Sequence, residues 1–109
     1  MLTWSEFEKV EMYVGTILSA EDSPKAKNPA YKLTIDFGPM GIKKSSAQIT
    51  KLYTKEELPG RQIIAVINFP PKQIADFMSE CLVLGAVANN KEVILIRPDK
   101  NIPNGYKIA

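Results

Sequence analysis

The chain has 109 residues, of which 45% are apolar and 24% charged, and a formal net charge of +2. These proportions exclude a disordered chain and suit one domain with its own core. A single cysteine, Cys81, excludes an internal disulfide, and the absence of histidine removes the commonest general base and metal ligand.

The opening Met1-Leu2-Thr3-Trp4 lacks the basic start and apolar run of a secretory signal, and no stretch approaches the ~20 apolar residues of a membrane span. A cytoplasmic protein with no membrane insertion is expected. Thr3-Trp4-Ser5-Glu6 fits a capping box, with Leu2 and Phe7 placed as a hydrophobic staple. It predicts a short helix over about residues 3–9, with Trp4 and Phe7 on one face. So short a helix cannot stand alone in water and must pack on its own barrel or on a second copy.

Residues 13–20 are rich in strand formers, with Gly15 suited to a bend or bulge, and a breaker-dense loop runs from Asp22 to Pro29. Over 32–37 the pattern alternates, with Leu33, Ile35 and Phe37 facing inward. Gly38–Gly41 is a turn, and a third strand runs from about Ile42 through Ser46. Thr50–Leu58 has weak helical character. Ile63–Ile67 is a buried strand that stops at Asn68-Phe69-Pro70-Pro71, where two prolines force a rigid, extended exit. Cys81–Val87 and Val93–Ile96 are two more strands joined through Asn89-Asn90. The tail from Arg97 is rich in Pro, Asn and Gly, yet carries Ile102, Tyr106 and Ile108. Short strands, close turns and no βαβ alternation predict an all-β, five-stranded barrel of OB type with minor helical turns.

Candidate chemistry is that of binding rather than catalysis. Residues 23–55 hold seven lysines against Asp36 alone, a basic stretch that attracts phosphate or an acidic partner unless it is simply a solvated face. Within it, Lys44, Ser46 and Gln48 share one face of a strand, and Lys43, Ser45 and Ala47 the other. Nucleic-acid modules interleave such residues with aromatic platforms, for which Tyr31 and Tyr53 are the local candidates. Asn68–Ile74 forms a stiff shelf whose Phe69 either plugs the core or offers a ring to a ligand, with Pro70 and Lys72 beside it. Phe77-Met78 is either core or an adaptable apolar contact.

Three strings are specific enough to carry a resemblance. Lys43–Thr50 (KKSSAQIT), Gln62–Gln73 (QIIAVINFPPKQ) and Ser79–Gly85 (SECLVLG) resemble the CsaA secretion-chaperone family, within the wider group of tRNA-binding OB domains. The resemblance covers Phe7 to Lys107. Relative to the tRNA-binding pattern, Asn68 is followed by Phe69-Pro70-Pro71-Lys72 rather than Leu-Lys/Arg-Pro, and Ser79-Glu80 by Cys81-Leu82 rather than Gly-Met. Asn68, Ser79 and Glu80 therefore carry over, and the Gly-Met pair does not.

The resemblance implies one tRNA-binding-type OB domain over 1–109, with a core of about 12–97. Extensions 1–11 and 98–109 would build a homodimer through Trp4, Phe7, Ile102, Tyr106 and Ile108. It implies a cytosolic, export-related chaperone that holds unfolded polypeptides without nucleotide, cofactor or metal. The expected peptide contacts are Phe69, Pro70, Lys72, Met78 and Gln48. The alternative is a module for tRNA or structured RNA, using Lys32, Lys43, Lys44, Ser46, Asn68, Lys72, Ser79 and Glu80.

Overall fold

Strand β1 (Met12–Asp22) is long enough to serve two partners along its length, and the rest of the sheet is assembled on it. The computed structural model describes residues 1–109. From Thr16 onward β1 pairs antiparallel with β2 (Tyr31–Asp36), and over Met12–Thr16 it pairs antiparallel with β4 (Gln62–Val66). A register shift between Ile17 and Ser19 bends it, which increases twist and starts the sheet curling into a barrel.

β3 (Ile42–Ala47) lies beyond β2, and β7 (Leu82–Val83) beyond β4, giving the order β3-β2-β1-β4-β7. Alternation along β2 and β3 sends Leu33, Ile35, Ser45 and Ala47 inward, where they meet Ile17, Phe37, Leu58 and Ile63 in the core. The product is a nearly closed five-stranded antiparallel OB barrel. Two hairpins are added to it, β5 (Lys72–Ile74) with β6 (Phe77–Ser79), and β8 (Gly85–Val87) with β9 (Val93–Leu95).

The edge of β1 that β2 leaves free is taken by the C-terminal tail. Gly105 N–H donates to the Val14 carbonyl at 2.8 Å, Val14 N–H to that of Tyr106 at 3.0 Å, and Ile108 N–H to that of Met12 at 2.9 Å. Thr16 Oγ1 donates to Asn104 Oδ1 at 2.7 Å, and the Gln62 amide brackets the backbone of Ile102 from the neighbouring strand. The tail is therefore part of the sheet, which its low apolar content had concealed.

The barrel does not close by a ladder. β3 and β7 are the two edges of the sheet, and mostly side chains bridge the seam between them. Ser45 Oγ donates to the Cys81 carbonyl at 2.8 Å, Lys44 N–H to Glu80 Oε1 at 2.9 Å, and Ser46 N–H to Ser79 Oγ at 3.0 Å. One backbone bond joins them, from Glu80 N–H to the Lys44 carbonyl at 2.8 Å. Cys81 is buried at this seam, and burial pushes its thiol up to about 11.

The predicted N-terminal helix is present as α1 (Trp4–Glu8), with both halves of its capping box formed between Thr3 and Glu6. Two expectations need revision, and one element is new. The connector at 50–58 consists of turns that bury Leu58 and has no helix, because the capping-like bonds of Thr54 to Glu57 close a single turn only. The expected strand 81–87 breaks at Leu84, whose N–H bonds to Ile64 on β4 while its carbonyl accepts from Ile96 beyond β9. The β5–β6 hairpin was not anticipated, since its turn uses Ala75 at φ 54 instead of glycine.

Gly15 lies against the core so closely that an added Cβ would fall 2.7 Å from Phe37 and Ile35. Gly15→Ala should therefore destabilise the fold by about 1–3 kcal/mol of overpacking, measured by urea denaturation. Cys81 should resist alkylation near pH 8 in the native protein and react once unfolded. Its folded thiol keeps its proton to about pH 11, whereas the unfolded thiol loses it near 9.0. The folded state then binds more protons than the unfolded one, so stability should be unaffected below about pH 9 and decline by on the order of 2–3 kcal/mol by about pH 11, an alkaline loss that Cys81→Ala removes.

Candidate functional site

Beside the seam lies an open recess of about 340 Å³. β4 runs out at Val66, and Pro70-Pro71 turn the chain so that the Phe69 ring stays 54% exposed at one side. The β5–β6 hairpin forms another side. Lys72 pairs with Ser79 and Ile74 with Phe77, so one hairpin face presents Lys72, Ile74 and Ser79 to the recess. Leu82, 48% exposed, and Ser46 complete it where the chain returns to the barrel.

Three of the polar residues predicted here, Asn68, Ser79 and Glu80, have internal tasks. Ser79 and Glu80 hold the N–H groups of Ser46 and Lys44 across the seam. Asn68 accepts from Glu11 N–H at 3.0 Å and donates to the Lys9 carbonyl at 2.7 Å, which fixes the link from α1 to β1. Ser45 is buried, and its hydroxyl is bonded to the Cys81 carbonyl. What remains open to a ligand is chiefly the apolar surface of Phe69, Pro70, Ile74 and Leu82, with Lys72 at the rim.

Not all the expected contacts come together. Met78 lies opposite Gln73 on the other face of the hairpin, 44% exposed, and does not line the recess. Gln48 lies past the end of β3, along an adjoining groove. Lys43, near the start of β3, is half-buried, while Lys44 and Lys72 are exposed. Lys32 is largely covered and ion-paired to Asp76 at 3.2 Å; its hydrogen bond to Asp76 holds that carboxyl below the usual carboxylate range.

Neither tyrosine offers a stacking platform. Tyr31 is buried and donates to the Tyr53 carbonyl at 2.7 Å, while the Tyr53 hydroxyl accepts from Leu95 N–H at 3.1 Å. The aromatic ring that does meet the lysines is Phe77, with the Lys32 and Lys44 ammonium groups 5.6 and 6.0 Å from its centroid. Ile74 and Leu82 were not anticipated as lining residues. The signal available for them was the pairing of Ile74 with Phe77 in a hairpin that only a glycine or asparagine at position 75 would have advertised.

A second apolar surface lies at the termini. Leu2 and Trp4 are 74% and 80% exposed, and with Phe7, Ile108 and Ala109 they surround an open hollow. Trp4 and Phe7 meet edge to face at 6.4 Å. Ile102, held beside Gln62, and Tyr106, paired through its backbone with Val14, do not line this hollow. No helix is long and apolar enough to cross a membrane.

Comparison with known proteins agrees with this architecture. Residues 12–107 match a family model described as "Putative tRNA binding domain". Methionine–tRNA ligase of Methanothrix thermoacetophila is 33% identical over 99% of this chain, which spans only 16% of the ligase's length. Among solved structures, chaperone CsaA of Bacillus anthracis superposes with a TM-score of 0.95 at 49% identity, covering 100% of this chain and 99% of that one. The CsaA chaperone protein of Picrophilus torridus does so with a TM-score of 0.93 at 52% identity, covering all of both chains. The chain belongs to the CsaA chaperone family, within the OB-fold tRNA-binding superfamily.

Proposed function

We propose that this protein is a cytosolic, export-related chaperone that binds unfolded polypeptides at the Phe69–Leu82 recess, without nucleotide and without catalysis. The observation that carries this reading is the division of labour around the recess. Two of its polar side chains, Ser79 and Glu80, are engaged within the fold, while Phe69 and Leu82 remain about half exposed. Preformed apolar surface of this kind takes up side chains of an unfolded segment with little ordering cost, and Lys72 adds a basic group at its rim. The chaperones whose structures it resembles supply the context for this reading.

The functional unit we propose is a homodimer. Helix α1 has five residues and buries none of them in the chain, so its apolar face lacks the packing that so short a helix needs. A second copy placed over Trp4, Phe7 and Ile108 supplies it, in an isologous contact. The two terminal segments, 1–11 and 98–109, serve that contact in this reading, with the tail first anchored on β1.

An RNA-binding reading stands second, favoured by the tRNA-binding family match and by exposed Lys25, Lys27, Lys44 and Lys72. Against it stand the pairing of Lys32 with Asp76 and the internal hydrogen bonds of both tyrosines.

Phe69→Ala should cut the capacity to delay aggregation of a denatured client several-fold while leaving stability within about 0.5 kcal/mol, as exposed positions do. Full retention of that capacity would exclude the recess as the client site. Ser79→Ala should cost about 1–3 kcal/mol of stability, because it leaves the part-buried Ser46 N–H without its partner, and Glu80→Ala less, about 0.5–1.5 kcal/mol, because water reaches the exposed Lys44 N–H. In sedimentation the native chain should run as a dimer and Trp4→Glu as a monomer. A monomeric native chain would refute the proposed interface.

A further inference from the structure

The recess is not the end of the concavity. At Ser46 and Leu82 it meets a second groove, of about 370 Å³, that follows the seam between the end of β3 and β7–β8. The side-chain fasteners reach only from Lys44 to Ser46 on the β3 side, so beyond them the two walls are not tied together.

The walls of this groove carry unpaired main-chain groups. Ala88 N–H bonds to the Glu92 carbonyl, and Ile96 N–H to that of Leu84. By antiparallel alternation, Ala86 and Ile94 form the hydrogen-bonded pair between them. Gly85 and Val87 therefore turn their N–H and carbonyl groups away from β9, toward the groove. On β9 the complementary alternation is visible directly, since Leu95 N–H points away from β8 to the Tyr53 hydroxyl. β8 pairs with no strand but β9, and across the groove Gln48 makes no main-chain or side-chain hydrogen bond within the chain. An exposed strand edge of this kind is a template for another strand.

The lining also selects the occupant. Ala47, Ile49, Val83, Leu84 and Val87 contribute apolar surface, and none of the lining residues is charged. A polynucleotide would set phosphates against a wall with no cation, whereas an uncharged extended polypeptide would match it in both polarity and main-chain hydrogen bonding. We propose that a bound client continues from the Phe69–Lys72 recess into this groove as an added β-strand on the edge of β8. This inference rests on the polypeptide-binding reading and specifies the form of its ligand: an extended, uncharged segment with apolar side chains at alternate positions.

The test uses the full chain and a short, capped, fluorescent peptide of alternating valine and serine, titrated by anisotropy. Two further peptides carry N-methyl groups on alternate amides, one in each register. Strand addition predicts that at least one methylated peptide binds about tenfold more weakly, the equivalent of one or two lost hydrogen bonds. Val87→Pro should weaken the unmodified peptide similarly. Its missing N–H belongs to the outward set, so the β8–β9 ladder survives, and an unchanged melting temperature verifies this.

Equal binding of all three peptides to the native chain and to Val87→Pro, with weakening by Phe69→Ala, would overturn strand addition and leave the recess standing. Binding of none of them would overturn both readings. Loss of the native dimer in Val87→Pro, with peptide affinity intact, would show that the edge is covered by a second copy and would also overturn the proposal.

Discussion

Closure of the barrel at the seam between β3 and β7 is the constraint on which the rest of the structure depends. A continuous ladder there would satisfy every edge group and leave no opening. Instead, Ser45, Ser79 and Glu80 hold the two edges together over a short length, aided by the single backbone bond from Glu80 to Lys44. A few directional bonds can replace a ladder because each meets a main-chain group that would otherwise lack its partner, and leaving such a group unpaired is expensive. Cys81 is buried beside this tie, and that burial pushes its thiol up to about 11.

Fastening by side chains has a functional consequence. Asn68, Ser79 and Glu80 have the chemistry of a ligand-binding cluster, yet each is directed at the backbone of its own chain. The Asn104 and Gln62 side chains do the same for the C-terminal tail. With these polar groups engaged, the surface left for a partner is apolar and preformed at Phe69, Ile74 and Leu82. The basic stretch near it is partly neutralised within the fold, by Asp76 on Lys32 and by Asp22 on Lys55.

Much of the barrel was legible in the sequence. The alternation of Leu33, Ile35 and Phe37, the continuous run through Ile63–Val66, and the Thr3–Glu6 capping box each report a local rule that the structure obeys. The missing parts depend on contacts between distant segments. The tail joins the sheet through main-chain groups, so its side chains gave little indication of it. Ala75 occupies a left-handed turn position where glycine or asparagine would have marked a hairpin. The inward task of Ser79 and Glu80 follows from the register of β3 against residues 79–81, which no spacing in the sequence encodes. Phe69, open in the sequence to either a core or a surface role, is on the surface because Pro70-Pro71 carry the chain away from the barrel before the ring can be covered.

The recess is proposed to take polypeptide rather than nucleic acid. This is tested most directly by titrating the protein with a labelled unfolded polypeptide and with bulk tRNA in competition, across a salt series. Polypeptide affinity should change little between about 50 and 200 mM salt, with displacement by unlabelled polypeptide but not by tRNA. Steep loss of polypeptide binding with salt, together with displacement by tRNA at low salt, would contradict the proposal.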